Sequence, residues 1–250
     1  MMSQDPIRRA QELMKAELPK KFYQTATVEQ DGEGFAIRLD GRGVKTPSRK
    51  PLILPTAAAA EHVRAEWQAQ ENVIDPAKMP VTRLVNTVID GVSDNAEAVY
   101  EEIVAYAGND MLFYRAESPE ELVARQAERW DPVLDWMTES FGARFVLVEG
   151  VMFADQPAES LAAFRHELDR HRQPFALGSL HVMTTLSGSA LVTLALARGR
   201  LSLEEAWALA NLEEDWTIEH WGHDEEAARR REKRFEDFEA AYRLLRAIEG

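Results

Sequence analysis

The sequence predicts an α+β fold: a small N-terminal α+β unit with antiparallel hairpins, followed by a larger all-α helical unit. Three observations carry this. Between residues 22 and 55, short apolar and β-branched stretches alternate with Asp-Gly turns, the pattern of tight antiparallel hairpins. From Thr82 onward apolar residues recur with the helical period almost to the C-terminus. Pro76 and Pro80 stand between the two patterns and mark a boundary, so the units are 1–80 and 81–250.

Taken in order, residues 1–20 read as a short polar helix that stops at Pro19. FYQTATVEQ, FAIRL, VKTP and PLILPT then supply strands, with DGEG and DGRG turning the chain between them. Thr56 reads as an N-cap for the helix AAAAEHVRAEWQAQ at 57–70, on which Val63 and Trp67 share a face. Helices follow over 81–92, 95–108, 119–139, 157–171, 178–198, 202–221 and 224–248, interrupted by one strand, RFVLVEG at 144–150. Gly108-Asn109 marks a helix stop, and Asp131-Pro132 a break or a new first turn.

The composition excludes several classes of function. With 45% hydrophobic and 29% charged residues the chain buries a proper core and is not a disordered segment. A formal charge of −14 argues against sequence-independent nucleic-acid binding and against docking on anionic lipid. There are no cysteines, which removes disulfides, thiolate metal sites and cysteine nucleophiles. The N-terminus lacks the apolar core of a signal peptide, and Asp5, Glu12 and Glu17 fit poorly with an acid-poor transit peptide. The longest apolar run, ALVTLALA at 190–197, is too short to span a bilayer. No membrane insertion is expected, and a bacterial cytoplasmic protein is the simplest reading.

The most chemically loaded stretch is NLEEDWTIEHWGHDEEAARRREKR, residues 211–234. Ser202 and Glu205 form a capping box at the start of the helix that leads into it. On a continuous helix Ala206, Trp207, Ala210 and Trp221 form one apolar stripe, with Glu214 in its middle. Glu213 falls between that stripe and a second made by Leu209, Leu212 and Trp216. A carboxylate among apolar side chains must be paired or reach water. Either one of the arginines pairs with it, the helix ends early, or the carboxylate waits at the rim of an apolar groove for a partner. His220, His223 and Asp224, with Glu225 as base, would be the ligands of a metal-assisted hydrolase. Yet the H-W-G-H spacing departs from H-E-x-x-H, and Gly222 weakens the helix between the two histidines. Glu225 and Glu226 stand four residues before Arg229 and Arg230, as in solvated i,i+4 pairs.

Elsewhere the chain carries little catalytic signal. Arg83, Asn86 and Asp90 share one face of MPVTRLVNTVID, a stripe that either binds an anion or a backbone or, as expected here, forms a helix–helix hydrogen-bond network. Trp130 and Trp136 read as core, and His166 and His171 as surface residues. TTLSGSA lacks the nucleophile-elbow pattern, and GEGF is not a phosphate loop. No catalytic residue, metal or cofactor is expected.

As a set, KFYQTATV, GFAIRLDGRGVKTP, LILPTAAAA, AEWQAQ, MPVTRLVNTVID, YAGNDMLFYRA, WDPVLDW and LEEDW followed by WGHDEEA have a specific order and spacing across residues 20 to 228. The chain resembles the mitochondrial and alphaproteobacterial chaperone family that assembles the F1 sector of ATP synthase by binding its α subunit. The resemblance implies a two-part fold and no catalysis, and ATP need not be used by the chaperone. It implies that the protein holds the nucleotide-binding domain of α and covers the surface that later meets β. Eukaryotic relatives would act in the mitochondrial matrix. The family's acidic site matches Glu213, so Leu212, Glu213, Glu214, Asp215 and Trp216 are the expected partner-binding residues. The family's tryptophan matches Trp67, which reads as packing because it lies on an amphipathic helix.

Overall fold

The computed structural model describes residues 18–150 and 154–250. The helix expected over residues 1–20 lies almost wholly outside the described residues. Strands β1 (Ala26–Asp31) and β2 (Gly34–Leu39) form the first hairpin, registered Ala26 to Leu39 through Asp31 to Gly34. Asp40 and Gly41, both with positive φ, turn the chain into β3 (Arg42–Gly43). The Asp40 carboxylate accepts the backbone N–H groups of Gln24 and Thr25, which pins the turn to the start of β1 and holds its carboxyl below the usual range. β4 (Ile53–Leu54) returns antiparallel to β2.

Helix α1 (Ala57–Gln68) packs on β1 and β2. Thr56 caps it as expected, accepting the Ala59 N–H at 3.1 Å, and also donates its hydroxyl to Ala247 O at 2.7 Å. Helices α2 (Pro80–Asp90), α3 (Ala96–Gly108), α4 (Glu120–Phe141) and α5 (Ala158–Leu168) follow. Then come α6 (Pro174–Ser187), α7 (Ala190–Ala197), α8 (Leu203–Ala210), α9 (Leu212–Trp221) and α10 (Glu225–Glu249). Apolar α6 sits centrally, packed by α10, α3, α7 and α2, and every residue of α7 is buried. One apolar cluster runs from Ile37, Leu54 and Val63 through Val85 and Leu177 to Leu245. Among the described residues no helix is long and apolar enough to cross a membrane.

Four local readings are corrected. The helix expected over 178–198 begins at Pro174 and divides at Gly188, whose φ of 73° ends α6 before Ser189 caps α7 through the Val192 N–H. The helix expected over 202–221 divides at Asn211, whose side-chain amide donates to Trp207 O at 2.7 Å and competes with the helical ladder. Asp131-Pro132 does not interrupt α4, because Pro132 sits on the exposed side of a helix held by packing at Trp130, Val133 and Met137. The strand expected over 144–150 contracts to β6 (Val148–Glu149), which pairs in parallel with β5 (Tyr114–Arg115).

Candidate functional site

The break at Asn211 determines where the acidic residues go. With α8 and α9 no longer one continuous helix, Trp221 is not on a buried stripe with Trp207, and 85% of its surface is exposed. Leu212 and Trp216 are both buried, and Leu212 joins Leu209 and Trp207 in the main apolar cluster. Glu214 is half-buried and faces Arg234 at 3.8 Å, so pairing and the early helix end together resolve its awkward position. Asp215 pairs with Arg231, and the Asp215 carboxylate raises the Arg231 pKa. Glu219 takes a two-pronged contact from Arg125 at 2.9 and 2.7 Å, which holds its carboxyl below the usual range. The Arg125 guanidinium also lies 4.8 Å from the Trp216 ring.

Glu213 differs from these neighbours. Its carboxylate is exposed and has no cation within ion-pairing reach among the described residues. Its hydrogen bond comes from a neutral group, the Gln126 amide, at 2.6 Å. Gln126 is fully buried on α4 and is itself fixed, since its carbonyl accepts the Ala116 N–H at 2.8 Å. One turn further on, the Trp130 indole donates to Leu209 O at 3.1 Å and locks α4 to the end of α8. The Glu213 side chain is thereby oriented without being neutralised.

Beside it lies a groove of about 300 Å³ lined by Met111, Tyr114, Trp130, Ala210, Glu213 and Glu214. Met111 and Tyr114 also border a neighbouring hollow of about 460 Å³ that reaches Tyr106, Asn109 and Glu102. The two form one trough along YAGNDMLFYRA, walled by α3 and α4 and ended by the acidic start of α9. Sequence reasoning placed Glu213 at an apolar rim but missed Gln126, Met111 and Tyr114. Gln126 lies 87 residues from Glu213 and carries no local signal.

The other expected residues fall elsewhere. Trp67 is half-buried, its ring centroid 5.8 Å from that of Tyr23, and its carbonyl accepts the Tyr23 hydroxyl. Arg83 pairs with Asp237 of α10 at 2.5 Å, and Asp90 accepts Thr46 Oγ1 at 2.6 Å and the Ser48 N–H at 3.1 Å. That polar face therefore ties α2 to α10 and to the loop between β3 and β4. Asn86 shares the face, with a buried Oδ1 that has no partner among the described residues. His166 is exposed as expected, but His171 is buried with Nδ1 2.5 Å from Glu249 Oε1, because α5 ends against the last turn of α10.

The metal reading loses its geometry. His220 Nδ1 lies 2.8 Å from Trp216 O with its ring stacked on that indole, and Asp224 caps α10 through the Glu226 and Ala227 N–H groups. Among the described residues no three His, Asp or Glu side chains are grouped to hold a metal ion. Glu225 and Glu226 pair with Arg229 and Arg230 at 3.9 and 2.8 Å, as their spacing predicts.

The site thus brings together an oriented, unneutralised carboxylate and a groove lined by Met111, Tyr114 and Trp130. A sequence model described as ATP12 chaperone protein matches residues 20–138. The mitochondrial Atp12 protein of Schizosaccharomyces pombe is 27% identical over 221 residues, covering 83% of this chain and 75% of that one. The crystal structure of Atp12 from Paracoccus denitrificans superposes with a TM-score of 0.86 at 37% identity, covering 92% of this chain and 99% of that one. That of Atu1473 from Agrobacterium tumefaciens, assigned as a candidate chaperone, gives 0.91 at 53% identity, covering 99% and 92%. The chain belongs to the ATP12 chaperone family, whose members are chaperones and not enzymes.

Proposed function

We propose that this protein is an assembly chaperone for the F1 sector of ATP synthase. It binds the α subunit at its nucleotide-binding domain and shields the surface that later meets β. It needs no cofactor or nucleotide of its own. In a bacterium the work is done in the cytoplasm, and in eukaryotic relatives in the mitochondrial matrix.

The observation that carries this reading is the state of Glu213. Its three acidic neighbours on α9 are matched by Arg234, Arg231 and Arg125, while Glu213 is held by the neutral Gln126 amide alone. A carboxylate held in place with its charge free is suited to a charge-assisted bond supplied by a partner. The trough beside it offers the half-buried Met111 and Tyr114 to apolar client surface, over the buried Trp130. Buried Leu212 and Trp216 contribute by fixing α9 rather than by contact.

The test is light scattering of F1 α refolding from denaturant without nucleotide, with and without an equimolar amount of this protein. Scattering is expected to fall for α and to be unchanged for an unrelated aggregating protein. Glu213→Gln keeps the shape and the hydrogen bond but removes the charge. Its thermal midpoint is expected to match that of the native chain, with capture of α weakened about tenfold. A normally melting Glu213→Gln protein that still protects α fully would refute the assignment of this carboxylate.

A further inference from the structure

Trp221 closes α9 with 85% of its surface exposed, the highest value of any large hydrophobic side chain among the described residues. Tryptophan is a strongly buried residue type on average, so an indole this open calls for a cause. The chain turns sharply behind it. Gly222 has a φ of 91° with open space around it, and His223 and Asp224 are exposed before α10 begins. The α9–α10 corner therefore projects from the molecule with an indole at its tip.

Helical spacing puts this tip on the same face as Glu213. Glu213, Thr217, His220 and Trp221 stand at i, i+4, i+7 and i+8 on α9, and all four are exposed. Leu212 and Trp216, on the flank beside this strip, are buried, and the His220 ring stacks on that of Trp216. At the helical rise, Glu213 and Trp221 are about 12 Å apart along the axis. Asp215 and Glu219 lie off this face and carry their own arginines. The exposed strip thus carries one unmatched carboxylate at one end and one bare indole at the other.

Resting on the chaperone reading above, we propose that Trp221 is a second anchor of the client-docking surface. Its indole enters an apolar pocket of the client while an arginine or lysine of the client pairs with Glu213. Convexity and charge both select such a partner. A projecting indole requires that the concavity be on the other molecule, and a free carboxylate requires a cation there. A second copy of this chain fits poorly, because each copy carries a formal charge of −14 and both would bring acidic corners together.

The experiment measures binding of the full chain to labelled F1 α by fluorescence anisotropy, for the native protein and for Trp221→Ala, Trp221→Phe, Glu213→Gln and the Trp221→Ala/Glu213→Gln double variant. Circular dichroism melts serve as the fold control. Because the indole makes few contacts within the chain, Trp221→Ala is expected to melt as the native protein does. It is expected to bind α about thirtyfold more weakly, the loss typical of an aromatic hot spot. Trp221→Phe is expected to recover much of that loss. Unchanged binding by Trp221→Ala, with Glu213→Gln impaired, would overturn the anchor and leave the chaperone reading intact. Native protein that does not bind α would remove both. Sedimentation showing a dimer that Trp221→Ala dissociates, with α binding unchanged, would assign the tip to a second copy and also overturn the proposal.

Discussion

Asp110, one residue before Met111, is fully buried, and its two oxygens serve two chain segments. Oδ1 accepts the Leu112 N–H at 3.2 Å and Oδ2 accepts the Leu191 N–H at 3.0 Å, at the first turn of α7. Burial raises its pKa to about 6, against the opposing pull of those hydrogen bonds. An acid with a folded pKa above its unfolded value of 3.8 binds its proton more tightly when folded. Its stabilising contribution is therefore full below 3.8 and is lost as pH rises through 6. Other carboxylates shape the absolute profile, so the difference from Asp110→Asn isolates this group. Urea unfolding between pH 7 and pH 4 is expected to shift that difference by about 2 kcal/mol in favour of the native chain as pH falls. A difference independent of pH would show that Asp110 is not held in this state. Nothing in YAGNDMLFYRA announces the role, because Leu191 lies 81 residues away. The same holds for Gln126 and Glu213. The spacing that set Glu213 between two apolar stripes assumed one unbroken helix, which Asn211 divides, and the group that orients the carboxylate comes from another helix.

Elements were legible where their own residues end them. Thr56 and the Ser202–Glu205 capping box are local signals, and both are present in the structure. Gly188 and Asn211 are also local, but each lies inside an unbroken helical period that masks the division it makes. Helix α2 was legible only in part, since its cap comes from outside. Met79 supplies no side-chain cap, and Glu66 of α1 takes that place. Its carboxylate accepts the Val81 N–H at 2.7 Å, the Thr82 N–H at 2.7 Å and the Thr82 hydroxyl at 2.6 Å. Burial raises the Glu66 pKa, and the three hydrogen bonds oppose that shift. A cap delivered from a neighbouring helix fixes the α1–α2 angle as well as the end of α2. Glu66→Ala strands two backbone donors in a partly buried place and is expected to destabilise the fold by about 3 kcal/mol. A urea midpoint within error of the native value would show that water or a rearranged Asp75 replaces the cap.

At the scale of the whole molecule, the division into 1–80 and 81–250 follows a change of pattern, and we propose that it is a division of architecture and not of folding. The sheet and α1 have a small cluster of their own in Tyr23, Ala26, Leu39, Ile74 and Met79. Their larger side chains go elsewhere: Ile37, Leu52, Leu54 and Val63 are buried in the same cluster as Val85, Leu177 and Leu245. Polar contacts cross the boundary too, from Thr56 to Ala247 and from Thr46 and Ser48 to Asp90. Cutting the chain at residue 80 would return those four aliphatic side chains toward water, at about 1.5–3 kcal/mol each. A unit of this size is marginal even with its core intact. Residues 1–80 alone are therefore expected to show no cooperative unfolding in urea and little amide protection. The full chain is expected to unfold in one transition that is the same by circular dichroism and by tryptophan fluorescence. A fragment that unfolds cooperatively, or a full chain with two separated transitions, would show instead that the two patterns fold independently. In that case the angle between them, and with it the distance from the Trp67 end to the Glu213 trough, would be free to change when a client binds.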